Sequence, residues 1–345
     1  MRSTADRIRR VATLGSDVPR GEFRVRVHSV FHAALNLSLP NGDLLTLLSA
    51  EADDLPRGVR LASVEDFSSL GLAAGDCGVV TADEIVLERS AGGGRLRVDC
   101  VAALRLAAQS APPLRGAGKR WRAGVARLEA LQARAATDLR VAPLLCGARP
   151  NGAIGERLTQ AALDLGRGVR GERLDDIRSA AARLVGLGQG LTPAGDDFLC
   201  GFLAAGHCRR AAGLALSRLL TALAEAVRDV LGQTTDISAF FLRDALAGRI
   251  SRSLAALAEA CSGAPPGGDL DGALLRLAAI GHSSGLDAAT GFFYGAAIWR
   301  NAPRGAASAP IGERFTNMTA SLRPRRVAGV FAERESGGAD LAPSD

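Results

Sequence analysis

From Phe23 to about Ala108, apolar and polar residues alternate in short runs. FRVRVHSVF changes side at almost every residue, as a strand with one buried face does. DLLTLLS, GVRLASV, CGVVTADEIVLE and RLRVDCVAAL are similarly short and rich in branched side chains. Turn signals such as Asn41-Gly42 and Gly92-Gly93-Gly94 separate them. EIVLERSAGGGRLRVDC reads as a hairpin. The pattern predicts an antiparallel β-rich domain over 23–110, a sandwich or small barrel, behind an N-terminal tail of 1–22. After Ala111-Pro112-Pro113 the period changes. Apolar positions three and four apart predict helices over Arg120–Leu139, Ile154–Leu165, Leu174–Val185, Pro193–Arg210, Ala212–Val230, Ile237–Ala247, Ser251–Ala260, Gly272–Ala279 and Leu286–Arg300. The spacers are short and bear Gly or Pro. The expected class is α+β, with an all-α domain over 111–335 and a disordered tail, SGGADLAPSD, over 336–345.

Composition adds little to this division. The chain has 345 residues, enough for two domains, and its 47% apolar content can bury a core. Aromatics are only 4%, so Ala, Leu and Val must fill that core. The net charge is +6, but the arginines are spread along the chain among carboxylates. RGAGKRWRAGVAR, Arg115–Arg127, is the densest basic patch and reads as the solvated face of a helix, so no nucleic-acid partner is expected. The six cysteines form no C-x-x-C pair, which argues against structural zinc and for a reducing compartment. MRSTADRIRRVATLG lacks an apolar stretch behind its basic residues. No segment is apolar enough to span a membrane, and a cytoplasmic chain is expected.

The chemistry concentrates in VGLGQGLTPAGDDFLCGFLAAG, Val185–Gly206. Gly186, Gly188 and Gly190 follow a helical pattern rather than a strand, and no lysine follows them. The dinucleotide and P-loop readings therefore fail. Thr192-Pro193 signals a helix start, with Thr192 as N-cap. A glycine loop leading into a helix N-terminus offers free N–H groups to an anion. Ninety residues on, GHSSGLDAATGFFYGAA repeats the pattern. Gly195, Asp197, Gly201, Phe202 and Ala205 align with Gly285, Asp287, Gly291, Phe292 and Gly295, and Ser283 and Ser284 supply caps where the first copy has Thr192. The four-residue spacing places each Asp and its small residues on one helical face, so two such helices could cross closely. Asp196 and Asp197 suit N–H donors; they would also suit Mg²⁺, the one cofactor candidate. A small molecule with a carboxylate at one end and an amide or ureido group at the other fits such a cleft.

GLGQGLTPAGDDFLCG, the Thr234, Thr235 and Ser238 positions of QTTDISAFFLRDALAG, and GHSSGLDAATGFFYG resemble the motifs of a bacterial family once known only as a domain of unknown function. That family is associated with a subunit of oxamate carbamoyltransferase in allantoin catabolism. VFHAALNLSLPNGDLLTLLS resembles its opening strands. The resemblance implies carbamoyl transfer among several protein subunits, with oxalurate and phosphate giving oxamate and carbamoyl phosphate. Asp197, Asp287 and His282 are then the candidate catalytic groups, His282 as a donor to the carbonyl oxygen or a general acid. Gly186, Gly188, Gly190, Thr192, Gly195, Asp196, Thr234, Thr235, Ser238, Ser283, Ser284 and Gly285 are candidates for holding the substrate. Two alternatives stay open: a non-catalytic anion-binding or partner-docking subunit, and a hydrolase of a small ureide or cyclic amide.

Overall fold

The computed structural model describes residues 8–90, 93–108, 112–113, 118–209, 214–262 and 268–302. The expected disordered tail lies outside them, as does Arg115. The N-terminal region folds as strands β1 (Ile8–Leu14), β2 (Phe23–Val30), β3 (Ala34–Ser38), β4 (Leu44–Leu48), β5 (Gly58–Leu61), β6 (Cys77–Val80), β7 (Glu84–Glu88), β8 (Arg95–Asp99) and β9 (Leu104–Arg105). Their order is β5-β4-β3-β2-β6-β7-β8-β1, and β1 returns to pair with β5, so eight strands close a barrel. β9 adds a short parallel pairing to β1. Closure removes free sheet edges, and alternate residues fill the interior. Leu35 and Leu37, Leu45 and Leu47, Val59 and Leu61, and Ile85 and Leu87 point inward and are almost fully buried.

Three features depart from the sequence reading. The stretch expected as a tail contains β1, the strand that closes the barrel. β3 lies in the stretch that resembles the family's opening strands but does not show in the alternation, because Asn36 interrupts its apolar run. Asn36 is nonetheless buried, with Nδ2 donating to Ser29 Oγ at 3.0 Å and Oδ1 accepting from Thr46 Oγ1 at 2.8 Å. Cross-strand partners thus make a polar residue acceptable inside. Finally, the sheet is antiparallel except at β4–β5 and β1–β8 and the short β1–β9 pairing.

The helical region holds α1 (Gly118–Gln132), α2 (Val141–Cys146), α3 (Gly152–Arg170), α4 (Leu174–Leu184), α5 (Ala194–His207), α6 (Leu214–Asp229), α7 (Asp236–Leu246), α8 (Arg252–Ser262), α9 (Leu270–Ala278) and α10 (Ser284–Arg300). The single helix expected to Leu139 stops at Gln132, and α2 follows after a turn. α5 and α10 are buried along most of their length and pack on each other, with the other helices around them. A helix that is apolar on nearly all sides belongs in such an interior. Trp121, the aromatic of the basic patch, is buried in this region and its Nε1 donates to Phe293 O at 3.1 Å.

Barrel loops seat on α7 and α8. Arg249 joins Asp17 of the barrel, 3.1 Å away, to Asp244 of α7 at 2.8 Å. Asp53 accepts from the amide and hydroxyl of Ser253 at the start of α8. Arg57 pairs with Asp43 at 2.7 Å and stands over the ring of Phe240.

Candidate functional site

The loop between α4 and α5 is built from left-handed backbone. Gly186, Gly188 and Gly190 have φ of +73°, +129° and +90°, conformations that residues with a Cβ adopt only under strain. Asp196 holds the loop in place. Its Oδ1 accepts from the Gly186 amide at 2.9 Å, and its Oδ2 accepts from Thr234 Oγ1 at 2.5 Å and Ser238 Oγ at 2.7 Å. Thr235 caps α7 by accepting from the Ser238 amide and donates to Leu191 O. Between these anchors the loop is exposed at Gln189, Gly190 and Leu191. The amides of Gly188, Gln189 and Gly190 donate to no group among the described residues.

The two repeated motifs meet. A Cβ at Gly201 would strike the Ala288 carbonyl oxygen and lie 2.7 Å from the Phe292 amide nitrogen. A Cβ at Gly291 would strike the Phe198 carbonyl oxygen. Only glycine permits this backbone-to-backbone crossing of α5 and α10. It brings the two helix starts together, and Thr192 Oγ1 lies 2.8 Å from Ser284 Oγ. Thr192 was expected to cap α5. Pro193 holds that position instead, without a side-chain cap, and the Thr192 hydroxyl turns across to α10. Ser283 occupies the N-cap position of α10 but makes no capping bond.

At this junction sit Asp197 and Asp287. Asp287 is fully buried and accepts from Thr137 Oγ1 at 3.1 Å through Oδ1. Asp197 retains some exposure as a residue, but its Oδ2 is buried. Neither Asp197 Oδ2 nor Asp287 Oδ2 has a hydrogen-bond partner. Burial pushes the Asp287 carboxyl up to about 7, against the opposing pull of the Ser283 and Thr137 hydroxyls. Burial and then the Asp287 charge drive Asp197 well above the carboxylate range, and the Ser284 and Thr192 hydroxyls offset part of this. Two carboxylates so placed titrate as a pair, and near neutrality the pair keeps a proton. Such a pair can accept from N–H groups and donate one proton.

A model for the oxamate carbamoyltransferase subunit AllH matches residues 184–296, and one for the AllH family N-terminal domain matches residues 5–105. The chain belongs to the AllH family. Comparison with curated proteins and with solved structures gave no match. The first of the two matched stretches runs from the end of α4 through the glycine loop, α5 and α7 to most of α10, and the second spans the barrel.

Within this AllH chain, the remaining expected site residues take several places. Gly195 and Gly285 serve packing. Their amides donate to Leu187 O and Ile280 O, and a Cβ on either would strike a carbonyl of the preceding helix, at Leu184 or Leu277. His282 is exposed, just before α10. Asp196 and Asp197, named together as Mg²⁺ ligands, belong to separate networks. Among the described residues no group of three or more His, Cys, Asp or Glu is arranged to hold a metal ion. No helix there is long and apolar enough to cross a membrane. Sequence reasoning missed Thr137, Gln132 and Asp138. Gln132 donates to Thr290 Oγ1 at 2.8 Å, beside Asp287 in α10, and Asp138 raises Asp287 further. All three were absorbed into one long helix; the run Thr137-Asp138 in an otherwise Ala-rich stretch was the available signal of a turn.

Proposed function

We propose that this AllH chain supplies the ureido-binding half of an oxamate carbamoyltransferase, working with other subunits in allantoin catabolism. The observation that carries the reading is the pair Asp197 and Asp287, each with an unpartnered buried oxygen, next to a loop with open amides. The ligand is a small ureido acid such as oxalurate. Its carboxylate, or the phosphate co-substrate, lies on the amides of Gly188 and Gly190. Its ureido N–H groups are received by the ionised member of the pair, helped by the Thr192 and Ser284 hydroxyls.

The transfer then balances simply. A phosphate oxygen attacks the carbamoyl carbon, a C–O bond forms, and the bond to the oxamate nitrogen breaks. The phosphate's proton passes to the Asp pair as the pair's own proton goes to the leaving nitrogen. No covalent nucleophile is needed, because positioning and the two proton states supply the catalysis. Asp196, Thr234 and Ser238 act at one remove, by fixing the loop.

The test is formation of carbamoyl phosphate from oxalurate and phosphate by the full chain, alone and with its partner subunits. Loss of both oxalurate binding and turnover in Asp197→Asn and Asp287→Asn supports the assignment. Oxalurate binding that survives in both variants removes the pair from the site. Binding without turnover in the complete assembly favours a non-catalytic subunit, and phosphate-independent release of oxamate favours a hydrolase.

A further inference from the structure

One end of the barrel holds a cavity of about 200 Å³, and no residue of the glycine loop lines it. It opens where β1, β6 and β8 end and where β5 and β7 begin. Leu14, Val59, Val80 and Ile85 form its walls. An apolar cavity of about 150 Å³ already holds a benzene molecule, so this one accommodates a short hydrocarbon body. Cys100 also faces it, with burial pushing the thiol up to about 11, so this group stays neutral and behaves as apolar wall.

The charged side chains that line the mouth are cationic, with Thr81 beside them and Asp83, Glu84 and Asp99 near enough to act on Cys100. Arg20 and Arg105 both line the cavity, and no carboxylate does. Arg105 is anchored through a single nitrogen, Nη1, to the carbonyls of Gly15 and Val18, each at 3.2 Å. The rest of its planar fork is uncommitted, and such a fork matches a carboxylate. Arg20 is exposed and makes no ion pair or hydrogen bond among the described residues. Asp17, the acid on the same loop, is committed to Arg249. Apolar walls with a few convergent polar groups describe a small-molecule site, and here those groups favour a negative head.

We infer that the barrel mouth binds a small aliphatic carboxylate, its hydrocarbon body among Leu14, Val59, Val80 and Ile85 and its carboxylate on Arg20 and Arg105. The site takes one ligand per chain and is independent of the carbamoyl-transfer reading.

Calorimetric titration of the full chain with hexanoate, hexan-1-ol and hexylamine tests this. Hexanoate should saturate one site and bind more tightly than the alcohol, with the amine weakest. Arg20→Gln, at an exposed position, should weaken hexanoate about tenfold and leave hexan-1-ol unchanged. Val80→Trp should fill the cavity and remove both; circular dichroism confirms that it folds, and Arg20→Gln decides the matter if it does not. Absence of saturable hexanoate binding, equal binding of the three probes, or an unchanged Arg20→Gln each overturns the assignment.

Discussion

Replacing Asp287 with Asn probes the charge of the buried pair. The change preserves size and leaves an oxygen to accept from Thr137 Oγ1, but removes ionisation. Burial holds the folded carboxyl at about 7, whereas the unfolded chain titrates near 3.8. The folded state therefore binds the extra proton between these values. The stability tied to that proton is complete below about pH 3.8 and is lost as the pH rises through about 7. Roughly three units at 1.36 kcal/mol each give about 4 kcal/mol, with no discount for solvent because Asp287 is fully buried. Asp197 adds to the same trend, since removing the Asp287 charge relieves it as well. Urea unfolding of wild type and Asp287→Asn across this range is the assay. The variant's advantage should grow by about 2–3 kcal/mol between pH 5 and pH 8. Parallel stability curves would mean that Asp287 is ionised throughout, and the proton-holding pair would have to be abandoned.

Other perturbations follow from the same contacts. Gly201→Ala drives a methyl into the backbone of α10 at Ala288 and Phe292 and should lower stability by at least about 1–3 kcal/mol in urea; an unchanged midpoint would contradict the close crossing. Gly188→Ala places its methyl 2.6 Å from the Ala194 nitrogen, whereas Gly190→Ala meets nothing within 4 Å, so the first should be clearly the more destabilising by thermal melting. Equal effects would show that only the positive φ matters. Asp196→Ala removes the acceptor of three donors and should cost about 3 kcal/mol at roughly 1 kcal/mol per bond, read by chemical denaturation.

The division into a β-rich and a helical domain was legible because two periodicities, two and near four, occupy separate stretches. Barrel closure was not. It depends on β1, whose Arg9 and Arg10 mask the alternation, and on a parallel join to β8 that no local pattern reveals. The crossing of α5 and α10 was legible from spacing, since Gly201 and Gly291 stand four residues after equivalent aspartates. The capping pattern misled, because Thr192 and Ser284 find each other across the helix pair rather than their own helix ends. Tertiary geometry made that bond available and sequence gave no sign of it. Thr137 was hidden for the same reason, being brought to Asp287 only after the chain turns beyond α1.

Asp196 and Asp197 are chemically identical neighbours, and their partners give them opposite uses. About 100° of helix separates them, enough to send one toward α7 and the other toward α10. Asp196 meets three donors and spends its lone pairs on holding Gly186, Thr234 and Ser238. Burial still raises it, but those bonds pull the other way, which suits a strut. Asp197 meets another carboxylate across the crossing and keeps an oxygen without a donor. A fold selected only for stability would satisfy or remove that group, since an unpaired buried acceptor costs about 1–3 kcal/mol. Here two such groups share one small space, and the glycines at Gly201 and Gly291 are what bring them there. The close crossing at Gly201 and Gly291 thus holds two carboxylate oxygens without donors at the start of α5 and α10, while one helix position away Asp196 is fully bonded.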